Sequence, residues 1–225
     1  MTQSVHTTSS YPVSEWDNYA ELFASVTTSM QVAVYKEACL HLSGAIVDCG
    51  CGSAKIAPFL AANKSVFSYT GIDLSEAMVK IAQGILQKVN HPRFTVQQSS
   101  IESVHVEGFT SGVSIQSYYS WTKPERVLQA IHSMLVPQAV FVLATPNKQL
   151  PVDTLAREAE QELLAHPNFG AYRAYNLQLA TSPNAHFIDI DDLIGQVRQV
   201  GFQVQEAHQR HFRGGLNFLV LTKGI

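Results

Sequence analysis

Two aspartates set beside glycines are the residues of this chain best suited to chemistry. The first set reads Val47-Asp48-Cys49-Gly50-Cys51-Gly52-Ser53-Ala54 and follows the apolar Ala45 and Ile46. A strand running into a glycine-rich turn and then a helix N-terminus is where parallel α/β sheets bind nucleotide-like ligands. Glycine has no Cβ, so the backbone can turn sharply there and come close to a ligand. A dinucleotide fingerprint, G-x-G-x-x-G or G-x-G-x-x-A, fits Gly50 and Gly52, but its third small residue falls on Lys55. The P-loop pattern, G-x-x-x-x-G-K followed by Ser or Thr, is absent. A carboxylate at Asp48 would repel a pyrophosphate and favour a ligand carrying positive charge. The second set reads Tyr69-Thr70-Gly71-Ile72-Asp73-Leu74-Ser75. It is a strand ending in an acid, at the separation expected for a ribose-binding carboxylate. An ionised Asp73 can accept hydrogen bonds from both ribose hydroxyls. Ser75 suits the N-cap of the next helix, with Glu76 in its first turn.

A nucleoside with a sulfonium and an ammonium but no phosphate meets these demands, and S-adenosylmethionine is such a molecule. On these residues the sequence resembles the class I S-adenosylmethionine-dependent methyltransferases of the small-molecule type. The family's first motif, two hydrophobic residues and then Asp-x-Gly-x-Gly-x-Gly, is matched by Ile46 to Ala54, with Ala54 in place of the third glycine. The acid closing the second strand matches at Asp73. The acid that the family sets against the adenine amino group falls at Ser100, within Gln98-Ser99-Ser100-Ile101-Glu102. Ile115-Gln116-Ser117-Tyr118-Tyr119 fits the segment after the fourth strand, and the usual Pro-Gly-Gly is reduced to Pro137-Gln138-Ala139. The resemblance spans about Trp16 to Leu221. It implies S-adenosylmethionine as cofactor, held by Tyr19, Asp48, Gly50, Cys51, Gly52, Asp73, Leu74 and Met78, with Ser100, Ile101 and Ser117 completing the site. It also implies a Rossmann-like fold: a seven-stranded, mostly parallel sheet with helices on both faces, an N-terminal helical cover and an insertion after the fifth strand.

The elements that must position these residues alternate as strand and helix, the pattern of a parallel sheet. Strands are expected at 44–49, 68–73, 93–98, 112–117 and 139–145, and helices at 54–63, 75–89 and 123–135. Thr122-Lys123-Pro124-Glu125 has the form of a capping box with proline in the first turn. Asp189 or Asp191 can cap the last helix, and Gly201 sits where it should stop. The segments 202–207 and 216–222 suit a closing antiparallel pair. Residues 1–42 are read as a frayed tail, 1–10, followed by helical cover reaching about Leu42, and 43–225 as the methyltransferase domain. Within that domain, 151–185 belongs to no sheet element. Its first half, 153–165, is helical, with Leu155, Ala159, Leu163 and Leu164 on one side. Pro167, Asn168 and Gly170 then break the chain. Such an insertion beside the cofactor mouth would act as a lid and supply the substrate pocket, against the plainer alternative of a hairpin packed on the sheet edge.

The 225 residues suffice for one α/β domain, and 46% hydrophobic residues argue against disorder. A net charge of -3, with no run of Lys and Arg, makes nucleic acid a poor partner. No apolar stretch is long enough to span a bilayer and the N-terminus lacks a secretory h-region, so a cytoplasmic location and no membrane partner are expected. Cys39, Cys49 and Cys51 form no disulfide framework and no metal pair of the usual spacing, so no metal is expected.

For the acceptor, Tyr118, Tyr119 and Trp121 follow the fourth strand at the carboxyl end of the sheet and offer flat faces with one polar handle. Trp16, three residues from Tyr19, and Tyr172 and Tyr175 of the insertion complete the expected substrate contacts. A general base is needed only if the nucleophile arrives protonated, and His186, just after the insertion, is the candidate ahead of His132, His208 and His211. Arg173 and Arg213 could hold a substrate carboxylate. The expected activity is methyl transfer to a small molecule at O, N, S or C. The alternatives are a macromolecular acceptor or a non-catalytic cofactor-binding scaffold. The sequence does not distinguish a monomer from a homodimer.

Overall fold

The computed structural model describes residues 12–224, so the expected tail at 1–10 lies outside the described residues. In chain order the helices are α1 (Val13–Ser25), α2 (Ser29–His41), α3 (Ala57–Ala61), α4 (Glu76–Val89), α5 (Pro124–Met134), α6 (Val152–Leu163), α7 (Phe169–Thr181) and α8 (Ile190–Gln199). The strands are β1 (Gly44–Cys49), β2 (Val66–Asp73), β3 (Phe94–Gln98), β4 (Phe109–Ile115), β5 (Leu135–Pro146), β6 (Phe202–His208) and β7 (Leu216–Lys223). They form one seven-stranded sheet in the order β3-β2-β1-β4-β5-β7-β6. The first five run parallel, and β7 lies antiparallel between β5 and β6. The order reverses between β1 and β4, which opens a crevice at the carboxyl ends of those two strands.

The central strands are apolar on both faces because helices cover both. Successive residues of β1 serve opposite layers. Val47 joins a core built with Leu128 and Ile131 of α5 and Leu193 and Val197 of α8. Ile46 joins the other, with Val34 and Ala38 of α2 and Ala82 and Leu86 of α4. Each Val, Leu or Ile side chain among these contributes about 1.5–3 kcal/mol of transfer free energy when fully buried. A third cluster sits away from the sheet, where Tyr19 and Ala20 of α1 meet Ala159 of α6, Phe169, Tyr172 and Leu179 of α7, and Met78.

Several boundaries depart from the sequence reading for local reasons. The leading helical stretch is two helices. Val26 and Thr28 are extended, and Thr28 forms a capping box with Gln31 that starts α2. The helix expected over 54–63 shrinks to α3, because Ala54 has a left-handed φ of 58° and turns the chain first. The fourth strand lies earlier than 112–117. It ends at Ile115, and Gln116, with φ 57°, swings the chain out of the sheet. The fifth strand is longer than 139–145 and begins where α5 ends, at Leu135. Thr122 caps nothing: Lys123 is the N-cap of α5, without a side-chain bond, and Pro124 supplies the first turn. Asp189 occupies the N-cap position of α8, but its carboxylate accepts from Lys148 Nζ (2.6 Å) and Gln149 Nε2 (3.0 Å) instead. The break near Pro167 is short, and Gly170 lies inside α7, a helix that the sequence reading did not foresee. By contrast, Ser75 does cap α4, accepting from Met78 N at 3.1 Å.

Candidate active site

β1 delivers Asp48 and then turns through Gly50 (φ 75°) and Gly52 (φ 51°). The N–H groups of Gly50 and Cys51 both donate to the Ile72 carbonyl, at 2.9 and 3.0 Å, which lashes the turn to β2. The turn is closely packed. A Cβ on Gly50 would stand 2.4 Å from Ser117 Oγ and 2.5 Å from Ser117 Cβ. β2 delivers Asp73 alongside. Its Oδ2 accepts from Gly52 N (2.8 Å) and its Oδ1 from Ser75 N (2.9 Å), so the carboxylate is held from both sides. After β4, Ser117 Oγ donates to Cys49 O (3.1 Å) and accepts from Trp121 Nε1 (3.1 Å), which fixes the indole.

These loops open into one cavity of about 500 Å³. Its far wall comes from α1, α6 and α7. Tyr19 of α1 stacks on Tyr175 of α7, with centroids 3.8 Å apart and planes 7° apart, and Asn176 Nδ2 donates to the Tyr19 hydroxyl at 2.8 Å. α1 is tied down at two further points. Asp17 Oδ1 accepts from Ser75 Oγ (2.6 Å). Lys55 Nζ donates to the Phe23 and Val26 carbonyls, each at 2.5 Å, and lies 3.9 Å from the Phe23 ring centroid.

Asp48 is 4% exposed. Burial pushes its carboxyl up to about 7, the neighbouring Asp73 adds to this, and the Tyr69 hydroxyl, donating at 2.7 Å, offsets part of it. Burial also raises Asp73, against the N–H groups of Ser75 and Gly52. Burial lowers Lys55 to about 7, although its two carbonyl partners favour the ammonium.

All eleven residues expected to hold the cofactor line this cavity: Tyr19, Asp48, Gly50, Cys51, Gly52, Asp73, Leu74, Met78, Ser100, Ile101 and Ser117. Of the expected acceptor contacts, Trp16, Tyr119, Trp121 and Tyr172 do so. Tyr118 does not: it is 2% exposed in the sheet core, its hydroxyl donating to Gln196 Oε1 at 2.6 Å. Tyr175 stands behind the wall, stacked on Tyr19 and donating to Glu15 O at 3.0 Å. His186 is not brought to the wall either. Its N–H donates to Tyr119 O at 2.9 Å, and the adjacent Phe187 lines the cavity instead. Among the described residues no histidine lines it.

The segment 32–207 matches the family described as methyltransferase domain. The chain belongs to that family. The methyltransferase matches no curated protein by sequence. Its fold is similar to that of the mycolic acid cyclopropane synthase CmaA1 complexed with SAH and CTAB, at 15% identity and a TM-score of 0.70, over 96% of this chain and 99% of that one. It is also similar to the 4+2 cyclase SpnF, at 15% identity and a TM-score of 0.69, over 94% of both chains. Magnesium protoporphyrin IX methyltransferase (ChlM) from Synechocystis PCC 6803, with bound SAH, is similar at 15% identity and a TM-score of 0.61, over 100% of this chain and 90% of that one. The methyltransferase is S-adenosylmethionine-dependent.

Several wall residues of the methyltransferase escaped the sequence reading. Lys55 was noted only for spoiling a dinucleotide pattern. Glu102 follows directly on Ile101, and Asn176 and Ala180 line the cavity from α7. The positions Tyr172, Asn176 and Ala180 are spaced by four, a helical stripe visible once the segment is treated as a helix. Among the described residues no helix is long and apolar enough to cross a membrane.

Proposed function

We propose that the methyltransferase acts on a small molecule, held between the turn after β1 and the α6–α7 insertion, by in-line displacement driven mainly by proximity and orientation. The observation that carries this reading is the single cavity with chemically different ends. Asp48 and Asp73, at the carboxyl ends of β1 and β2, and Glu102, after β3, line it on one side, while Leu155, Ala156, Leu177 and Phe187 line it from the segment after β5.

The residues present fit the cofactor. Its sulfonium and ammonium are cations, which suit the acids at the strand ends, and its one anion is the carboxylate of its amino-acid end. The one lysine in the wall has its ammonium committed to two backbone carbonyls, which leaves it ill placed for a phosphate. The left-handed turn at Gly50 leaves no room for a side chain and brings bare backbone to the cavity. In this reading Asp73 grips the ribose hydroxyls, Ser100 and Ile101 flank the adenine, and Asp48 faces the positive end.

When bound, S-adenosylmethionine supplies an electrophilic methyl whose departure leaves a neutral thioether. The chain's own work is then to seat an acceptor atom about 3–3.5 Å from that methyl and to keep water out. Trp16, Tyr119, Trp121 and Tyr172 present flat faces for this. With no histidine in the described wall, the arrangement suits an acceptor atom that needs no strong general base, and His186 would have to act through a water or after a rearrangement. The segment 151–185 serves as the lid and acceptor-binding insertion of the domain.

The test is a panel of candidate metabolites incubated with methyl-labelled S-adenosylmethionine and read by mass. A labelled small-molecule product supports the reading. Label transferred only to protein or RNA in a parallel extract would refute it.

A further inference from the structure

We propose that Arg173 forms an anion subsite in the acceptor half of the cavity, and that the acceptor is an apolar-bodied carboxylate. This rests on the reading of the α6–α7 side as the acceptor half. The two arginines that the sequence offered for a carboxylate are not equivalent in the structure. Arg213 is already engaged: its Nε and Nη2 donate to Glu158 Oε1 at 2.9 and 2.7 Å. Arg173 lines the cavity, and its Nε is buried with no hydrogen-bond partner among the described residues. The nearest acid, Glu160, stands 3.8 Å from Nη1, beyond hydrogen-bond reach. A buried N–H left unbonded is uncommon in a native fold and calls for an explanation, such as a ligand that completes it.

The surroundings define what that ligand is. Apart from Arg173 and Asn176, the insertion side of the cavity is mostly apolar or aromatic, with Leu155 and Ala156 from α6, Tyr172, Leu177 and Ala180 from α7, and Phe187. The planar guanidinium fork matches a carboxylate with two parallel bonds. The cavity's other cation, Lys55, is held by two backbone carbonyls. The acids Asp48, Asp73 and Glu102 would repel a second anion, brought by the acceptor, from the strand ends, and Arg173 is then the favourable place for an acceptor carboxylate. The apolar body of the acceptor then reaches from Arg173 along the aromatic wall.

The probes are two matched pairs, octanoate with 1-octanol and phenylacetate with 2-phenylethanol, titrated into the full chain loaded with S-adenosylhomocysteine. Both tryptophans of the chain, Trp16 and Trp121, line the cavity, so intrinsic fluorescence reports occupancy. Each acid should bind about ten-fold tighter than its alcohol near pH 7.5. The Arg173 side chain is 41% exposed, which keeps the effect at the lower end for a charge-assisted pair. Arg173→Gln should bring that ratio to within about two-fold and leave S-adenosylhomocysteine and alcohol binding unchanged, whereas Arg213→Gln should keep the preference. Equal binding of acid and alcohol by the native chain, or a preference that survives in R173Q, overturns the anion subsite and leaves the methyltransferase reading untouched. If the loaded chain takes up neither member of either pair, the proposal is overturned together with the acceptor half it rests on.

Discussion

Replacing Asp48 by asparagine should stabilise the ligand-free protein while weakening its grip on a cationic ligand. The carboxyl is buried and its pKa stands at about 7, against 3.8 for a free aspartate. A raised carboxyl pKa means that the folded state holds a proton that the unfolded chain has already released. Stability from that proton is complete below about pH 4 and is lost as the pH rises towards 7. At 1.36 kcal/mol per unit, the burden of Asp48 is about 1–2 kcal/mol at pH 5 and about 4 kcal/mol at pH 8. Asparagine carries no such burden, and its Oδ1 can still accept from the Tyr69 hydroxyl that now donates to Asp48 at 2.7 Å. The difference in Tm between variant and native protein should therefore widen by about 5–10 °C from pH 5 to pH 8, taking about 2–4 °C per kcal/mol for a domain of this size. Every other titrating group is common to the two proteins and cancels. Differential scanning fluorimetry across buffers of equal ionic strength measures the gap. S-adenosylmethionine should narrow it at pH 8, because a nearby cation favours the ionised acid. A gap constant to about 1 °C over that range would show that Asp48 does not titrate as its burial implies.

Asp73→Ala should weaken S-adenosylhomocysteine binding by a hundred-fold or more in calorimetry, since hydrogen bonds to a charged group are worth about 1.5–3 kcal/mol each and two ribose hydroxyls are involved. Affinity within two-fold of native would refute the ribose role. Gly50→Ala should abolish that binding with circular dichroism unchanged. Its new methyl would sit 2.5 Å from Ser117 Cβ, which no rotation relieves, whereas a Cβ on Gly52 would meet nothing nearer than 3.6 Å and Gly52→Ala should be the milder change. Tight binding by G50A would mean that the turn is not where the ligand lies. Ala156→Trp should fill the insertion side, leaving S-adenosylhomocysteine affinity within two-fold and removing acceptor methylation; retained turnover would place the acceptor elsewhere.

The placement of the strand-end residues was legible in the sequence because each of them does a backbone job with a local signature. Gly50 and Gly52 take positive φ, Asp73 closes a strand, and Ser75 starts a helix. The acceptor side was less legible. Tyr118 and Tyr119 are neighbours in a short 3-10 turn, and no periodicity tells which ring enters the cavity and which plugs the core. α7 was hidden because Gly170 and Pro167 read as chain breakers, yet the stack of Tyr175 on Tyr19 and the burial of Phe169 override those local preferences. His186 looked well placed along the chain, but a residue beside an insertion has no fixed direction until its neighbours pack. Phe187 took the inward position.

Lys55 ends with a meaning opposite to the one it began with. As a letter in a motif it was a disqualification, too bulky for the slot where a dinucleotide fold wants a small residue. In space it is a fastening: its ammonium donates to the carbonyls of Phe23, in the last turn of α1, and of Val26, just beyond it. A helix fastened in this way keeps Trp16 and Tyr19 against the cavity, so the residue that spoils one pattern steadies part of the wall suited to another.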